Sequence, residues 1–591
     1  MEELVLTPET RIFAHAAENG RDYVIPPLNQ PRRFSGCGFL WAIDEPGGKS
    51  RCFRTDGGYR VRRGKDAIRV FFDAPYSVTE GEAYPRCDFF GNRFCIRIGG
   101  DSRLETAMAH FYWKNLLNQC AERTLMRRKK RLREGYVLST LRTDFYAGTY
   151  PAVDHEFHIR GRMAMGGPFD LQVVRRMMEL QLRLMRTDWR RLYRAPCSLQ
   201  PNGRREYRVT RKSLDRRVRA VMFPLTGIIE LIEEMYRYYC RTKDLDFIRT
   251  HLNTLEGGVE FVKRHLDADG CLWGDVYYED QVMKDGATAQ AQAFAIHSMY
   301  LMARLETLAG RPDRACEYNE LAQRMQAHYI RPVPDGYWDP KAGRYIDWID
   351  RDGAVHDHIH LLSNALSVTF GLNPPGRDEK IHAMIRENDG IFQKFPSFVS
   401  AKIEDYTRSE IGVGGPYDLC AAGRYWCHDA KYRSACRDVA ALLSQLNRVA
   451  DAAAREDYYM GERYDMNYIY YNTGEDATRD WHGSPLYYEY PNVFIDVLVH
   501  DFLGIELDET CDLYLRPCCT DGTEVSMESF GIAYDLSGEA FTLTNLSQEA
   551  KDIRIDLSAV FEDWANNEEN GEVFPLRPGE TVRLTGKVKK V

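Results

Sequence analysis

Two neighbouring stretches decide the fold: FAIHSMYLMARLETLAG (294–310) and ACEYNELAQRMQAHYI (315–330). Each sets apolar residues at three- and four-residue spacing, the signature of a helix that buries one face. The pattern returns in LQVVRRMMELQLRLM (171–185) and LTGIIELIEEMYRYYC (225–240), so amphipathic helices dominate from about 103 to 505. Segments rich in aromatic and charged residues recur just before apolar helices: near Asp154, near Phe223 and Pro224, and at Trp273–Asp285, His356–His360, Arg408–Asp418 and Glu462–Pro485. Their spacing, roughly 55 to 85 residues, fits two ordinary helices plus loops. Six such hairpins would close into an (α/α)6 toroid, and the expected fold class is mainly α. In that architecture the loops preceding the inner helices open on one face and collect these segments in one pit, where function is sought.

The flanks read differently. Residues 1–102 carry short β-prone runs (DYVIPP, YRVRR, AIRVFF, FCIRI) among Gly and Pro, a β-rich N-terminal region. The barrel is expected over 103–507. From 508 to 591, strand-like alternation in FGIAYDL, AFTLTNLS, DIRIDLS and TVRLTGKVKKV, broken by Gly, Asp and Ser turns, predicts a small C-terminal β-sandwich module.

The 591 residues are 44% hydrophobic and 12% aromatic with a net charge of −8, which excludes a disordered or collagenous chain. No run approaches the roughly 20 apolar residues of a bilayer helix, and the acidic start MEELVLTPETRIF does not read as a secretory signal. A cytoplasmic protein that binds no membrane is expected. The 15 cysteines are scattered without CxxC pairs, so most are expected to be reduced. Basic runs at Arg127–Arg133 and Arg204–Arg219 belong to no nucleic-acid module and read as solvated surface, so no nucleic-acid partner is expected.

Two segments carry the chemistry. CLWGDVYYED (271–280) places aromatic rings beside carboxylates, an arrangement suited to sugars: rings stack on apolar sugar faces, carboxylates accept hydroxyl hydrogens, and burial can turn one carboxyl into an acid. Asp275 is the first candidate, because it lies too far upstream of the following helix to cap it. The second segment runs from Tyr458 through Gly461-Glu462-Arg463-Tyr464-Asp465 to Trp481-His482-Gly483-Ser484-Pro485. So many tyrosines in a polar loop suit a wet pocket, and Glu462 is the second candidate. An ion pair of Glu462 with an arginine is the purely structural alternative. Glu279, Asp465, Glu475, Asp476 and Asp480 are rivals that spacing does not separate. Cleaving a glycosidic bond takes one carboxylic acid and one carboxylate, roughly 6.5–9.5 Å apart for inversion and 5–5.5 Å for retention.

The run from Asp275 into ATAQAQAFAIHSMYLMARLETLAGRPDRACEYNELAQRMQ, with the later GERYD, YYNTGEDATRDWHGSPLYYEYPNVFIDVLVHDFLGIELD and LYLRP, resembles the six-hairpin glycosidases. The likeness spans about residues 150–520 and is strongest to processing-type α-glucosidases, trehalases and α-L-rhamnosidases. It implies an inverting, exo-acting glycoside hydrolase with Asp275 as general acid and Glu462 as general base. The substrate is then a small oligosaccharide or glycoside. Sugar contacts are expected from Asp154, His155, Glu156, Trp273, Tyr277, Glu279, Trp348, His358, Arg408, Tyr417, Tyr464, Trp481 and His482.

His356-Asp357-His358-Ile359-His360 and Asp154–His158 could supply metal ligands, but neither matches HExxH or a closed zinc spacing, so no metal and no cofactor is expected. Gly412–Gly415 (GVGG) reads as a turn, and no P-loop, Rossmann fingerprint or GxSxG is present. Other readings on the same barrel are a phosphorylase, an epimerase, a lyase or a non-catalytic sugar-binding protein. The sugar, its anomer and the oligomeric state, a homo-oligomer included, stay open.

Overall fold

The structure is a computed structural model that describes residues 2–44, 48–121, 134–142, 150–274, 279, 281–415, 417–464, 481–482, 484–562, 564 and 572–589. Among the described residues, twelve α-helices alternate between an inner and an outer ring. The inner helices are α2 (Ala152–Met165), α4 (Thr226–Thr242), α6 (Ala289–Leu308), α8 (Leu361–Thr369), α10 (Gly423–Ala435) and α12 (Glu489–Asp496, continued by a π-helical turn Val497–Phe502). The outer helices are α1 (Arg103–Phe111), α3 (Pro168–Arg186), α5 (Leu245–Lys263), α7 (Pro312–Tyr329), α9 (Asp378–Phe392) and α11 (Val439–Arg455). Each inner helix packs on the next, α12 returns to α2, and the ring closes. The two opening stretches of sequence are thus α6 and α7, one inner–outer pair.

Helix burial follows this geometry. The outer helices α7, α9 and α11 keep one face in water, whereas the described residues of α2 and all of α10 and α12 are buried except Lys431 and Ala435, although α2 contains Asp154, His155, Glu156, Arg160 and Arg162. Buried charges must be paired. Arg160 donates to Glu156 one turn away and to Glu233 of α4, each at 2.6 Å. Lys431 and Arg237 flank Asp496 at 3.3 and 3.4 Å. The ring is therefore bolted by ion pairs as well as packed by apolar contact.

Two glycines let inner helices approach. A Cβ on Gly161 of α2 would lie 2.8 Å from both the Cα and the carbonyl oxygen of Asn492 of α12, where the ring closes. A Cβ on Gly423 would meet the Glu489 side chain at 2.9 Å.

The N-terminal region is a seven-stranded antiparallel sheet over residues 2–82. Strand alternation divides its two faces. Ile12, Ala14, Leu40 and Phe53 form a separate core on one face, while Phe13, Trp41 and Cys52 turn to the barrel, where Phe13 and Trp41 pack on Trp113 with ring centroids 5.4 and 5.0 Å away. The strand Phe94–Ile98 leaves this sheet and pairs antiparallel with Thr523–Met527 at the edge of a five-stranded C-terminal sheet, so one sheet draws on both ends of the chain. A second, four-stranded C-terminal sheet joins Leu513–Leu515 to Lys551–Ile555 in parallel. All fifteen cysteines are free, and among them Cys316 alone is exposed. No helix among the described residues is long and apolar enough to cross a membrane. Of the basic runs, Arg127–Arg133 lies outside the described residues, and 204–219 leads into a hairpin of Val209–Lys212 with Arg219–Met222 whose arginines are largely exposed.

Candidate active site

The segments that precede the inner helices supply two linked clusters of charge. The first surrounds Arg424, in the first turn of α10. Its guanidinium holds Glu489, the first residue of α12, through Nε at 2.9 Å and Nη2 at 2.6 Å, while its backbone N–H donates to the other oxygen of Glu489 at 2.7 Å. A carboxylate from a neighbouring helix thus satisfies the start of α10, which has no side-chain cap of its own. The same Nη2 lies 3.9 Å from Asp154 Oδ1 and 4.0 Å from Glu462 Oε1. Those two oxygens are therefore at most about 8 Å apart, the sum of the two contacts, within the reach of a glycosidase acid and base.

Exposure separates these carboxylates. Glu489 and Asp418 are fully buried and Asp154 is 1% exposed, whereas the Glu462 side chain is 16% exposed, so Glu462 is the one that water reaches. Glu462 Oε2 accepts the N–H of Ser484 at 2.9 Å, and Oε1 lies 3.3 Å from Arg463. The short strand Arg463–Tyr464, pinned between Ala421–Ala422 and Trp481–His482, fixes its direction. Glu462 does make the arginine contacts of the structural alternative, but they leave it at the solvent edge. Asp154 is the opposite case: burial pushes its pKa up to about 7 against the pull of Arg424, and its oxygens accept the hydroxyls of Tyr488 at 2.6 Å and Tyr487 at 3.2 Å.

The second cluster centres on Lys284, wholly buried, with Nζ 2.6 Å from Glu279 and 2.8 Å from Asp347. Gln290 donates to Glu279 at 2.6 Å, His360 Nε2 lies 3.3 Å from it, and Ser363 donates to Asp347 at 3.1 Å. Burial alone would raise the pKa of both carboxyls. For Glu279 the charge of Lys284, then that of His360, outweighs it, and for Asp347 that of His360, then Lys284, so both stay below their usual values. Asp418 ties the clusters together, accepting the N–H of Gln281 and lying 3.2 Å from Arg463.

The structure brings Asp154, Glu279 and Glu462 into these clusters. Asp275, Tyr277 and the rivals Asp465, Glu475, Asp476 and Asp480 lie outside the described residues, as do the side chains of Tyr417, Trp481 and His482. Other expected sugar contacts have different employment. His155 pairs with Glu234 of α4, and Glu156 with Arg160, inside the ring. Trp348 is 1% exposed, stacked at 4.1 Å on His356, so it is no open platform. His358 stacks on Tyr406 at 3.7 Å. Tyr464 is buried, its hydroxyl accepting the N–H of Gly461. Trp273 is half-buried and donates to Asp267 at 3.2 Å. Arg408 is exposed beside Asp215. The residues the sequence did not single out are Arg424, Glu489, Lys284 and Asp347; the signal available for Lys284 was a lone cation between apolar Met283 and a helix start.

No family model and no curated protein matches the chain by sequence. Solved structures do match, and the likeness is one of fold. The GH78 family rhamnosidase of Bacillus sp. GL1 superposes with a TM-score of 0.52 at 13% identity, covering 91% of this chain and 50% of that one. The chain thus spans half the length of that rhamnosidase. A rhamnosidase from Klebsiella oxytoca with rhamnose bound gives a TM-score of 0.42 at 13% identity over 84% of this chain and 95% of that one. An α-L-rhamnosidase from Aspergillus terreus gives 0.47 at 12% over 99% and 61%.

Proposed function

We propose that the protein is an exo-acting, inverting glycoside hydrolase that removes terminal sugars from small oligosaccharides or glycosides. The observation that carries the reading is the position of Glu462: a carboxylate at the solvent edge of a barrel-end cluster, oriented by a backbone N–H, with Oε1 3.3 Å from Arg463 and 4.0 Å from Arg424. That is the placement a general base needs to draw a proton from water. Asp275, in the loop before α6, is the general acid of the proposal. Glu279 and Lys284, four and nine residues further along the chain, belong to the second cluster.

A second assignment of the acid is favoured by one observation. Asp154 holds its proton up to about pH 7 and lies within about 8 Å of Glu462, the two properties of an inverting partner. In that version Asp275 binds the sugar. The rhamnosidase fold supports the superfamily reading and leaves the sugar to experiment. The two C-terminal sheets belong to the proposal as a β-sandwich module that braces the barrel.

Single-turnover rates on an activated aryl glycoside separate the roles. Glu462→Gln lowers the rate by about 10²–10⁴-fold. The acid is the residue whose Asn variant loses activity on a poor leaving group far more than on a good one, Asp275 in the first version and Asp154 in the second. Full activity in Glu462→Gln refutes the proposal.

A further inference from the structure

One set of side chains on the pit-facing loops belongs to neither cluster. Glu410 Oε1 lies 2.6 Å from His356 Nδ1 and 3.0 Å from His358 Nε2, and one donor atom from each of the three residues lies within 4.8 Å of the other two. We propose that His356, His358 and Glu410 bind a divalent transition-metal ion of the zinc class. The third histidine of HDHIH, His360, turns to Glu279 and Lys284, and the fold supplies the third ligand from a segment 52 residues beyond His358.

Two imidazoles and one carboxylate suit zinc, cobalt or nickel better than calcium or magnesium, which prefer all-oxygen sites. Metal bonds of about 2.0–2.2 Å place tetrahedral donors roughly 3.3 Å apart, so the two carboxylate–imidazole pairs, at 2.6 and 3.0 Å, would open by about 0.7 and 0.3 Å, and the two imidazole donors, which lie within 4.8 Å of each other, would settle to the same spacing. The surroundings already fix each donor, as second-sphere contacts do in metal sites. Asp350 lies 3.3 Å from the other ring nitrogen of His356, and Glu410 Oε2 accepts the N–H and hydroxyl of Thr407 at 2.6 and 2.8 Å. Trp348 stacks on both imidazoles, and Tyr406 covers His358 at an interplanar angle of 9°. The His356 side chain is 23% exposed, which leaves the ion a route from solvent and a position for water.

The ion would clamp two segments, the one carrying His356 and His358 and the one carrying Glu410, and the latter holds a third. The backbone carbonyl of Glu410 accepts the N–H of Met283 at 2.7 Å, beside Lys284, and Tyr406 reaches Asp347 at 3.4 Å. The proposal does not depend on the hydrolase reading. Two hydrogen bonds to Glu410 in an ion-free protein are the rival account of the same distances.

The test uses the full chain without a histidine tag, stripped with chelator and titrated with cobalt(II). One cobalt per chain is expected, with a visible ligand-field band and no thiolate charge-transfer band, displaced by zinc. Affinity is expected to fall by about 100-fold or more in His358→Gln and in Glu410→Gln. His358→Gln carries the test alone if Glu410→Gln does not fold. No band at millimolar cobalt, a band with thiolate character, or binding that survives both substitutions overturns the site.

Discussion

Removing the Lys284 ammonium gives the sharpest test of the buried clusters. In Lys284→Met the chain keeps its length and apolar stem, but Glu279 and Asp347 are left fully buried without the cation that lies 2.6 and 2.8 Å from them. Breaking a buried pair by deleting one partner costs about 3–5 kcal/mol, because the remaining charge is uncompensated. With an unfolding entropy of ~2.1 cal/mol/K per residue over a barrel of roughly 400 residues, that cost lowers Tm by about 4–6 °C. Its pH dependence follows from the carboxyls. In the native protein both have depressed pKa values, so they contribute stability above the unfolded carboxyl pKa and lose it as pH falls. In Lys284→Met the charge that most opposes burial at Glu279 is gone, so the pKa of Glu279 rises and the deficit of the variant shrinks as pH falls. Differential scanning fluorimetry near pH 7.5 and near pH 5.5 reads both effects. A Tm within about 1 °C of the native protein at the higher pH, or a deficit that grows on acidification, refutes the reasoning.

Other outcomes follow from single contacts. Asp154, held near 7, binds a proton when folded that the unfolded chain has released, so it costs stability as pH rises from about 4 to 7. The Tm of Asp154→Asn relative to the native protein should therefore improve between about pH 5.5 and pH 8; an unchanged gap contradicts the raised pKa. Gly161→Ala would gain from helix propensity on an exposed helix, yet here its Cβ meets Asn492 backbone at 2.8 Å, so a loss of about 1–3 kcal/mol in chemical denaturation is expected. A stabilised variant means that α2 and α12 do not close the ring through this contact.

Helical period and segment spacing made the inner–outer pairs legible, since an apolar face repeats at 3.6 residues whatever its partner. Glu462 was legible for a related reason: a carboxylate among tyrosines in a polar loop is an unusual composition. Its partners were not, because Arg424 and Glu489 sit 65 residues apart and only ring closure brings them together. Likewise FCIRI reads as a strand from its alternation, but nothing local states that it pairs with Thr523–Met527. Aromatic residues misled most. Trp348 and Tyr464 look like sugar platforms in sequence, yet both are buried, and residue type does not distinguish a wet ring from a packed one.

The central claim is best tested by incubating the protein with aryl α- and β-glycosides of rhamnose, glucose, arabinose, galactose and mannose, with and without phosphate, and following the product anomer by proton NMR. Release of one free sugar of inverted configuration without phosphate, abolished in Glu462→Gln while the fold is retained, is the predicted result. Sugar release that requires phosphate, retained configuration, or no release from any glycoside would contradict it.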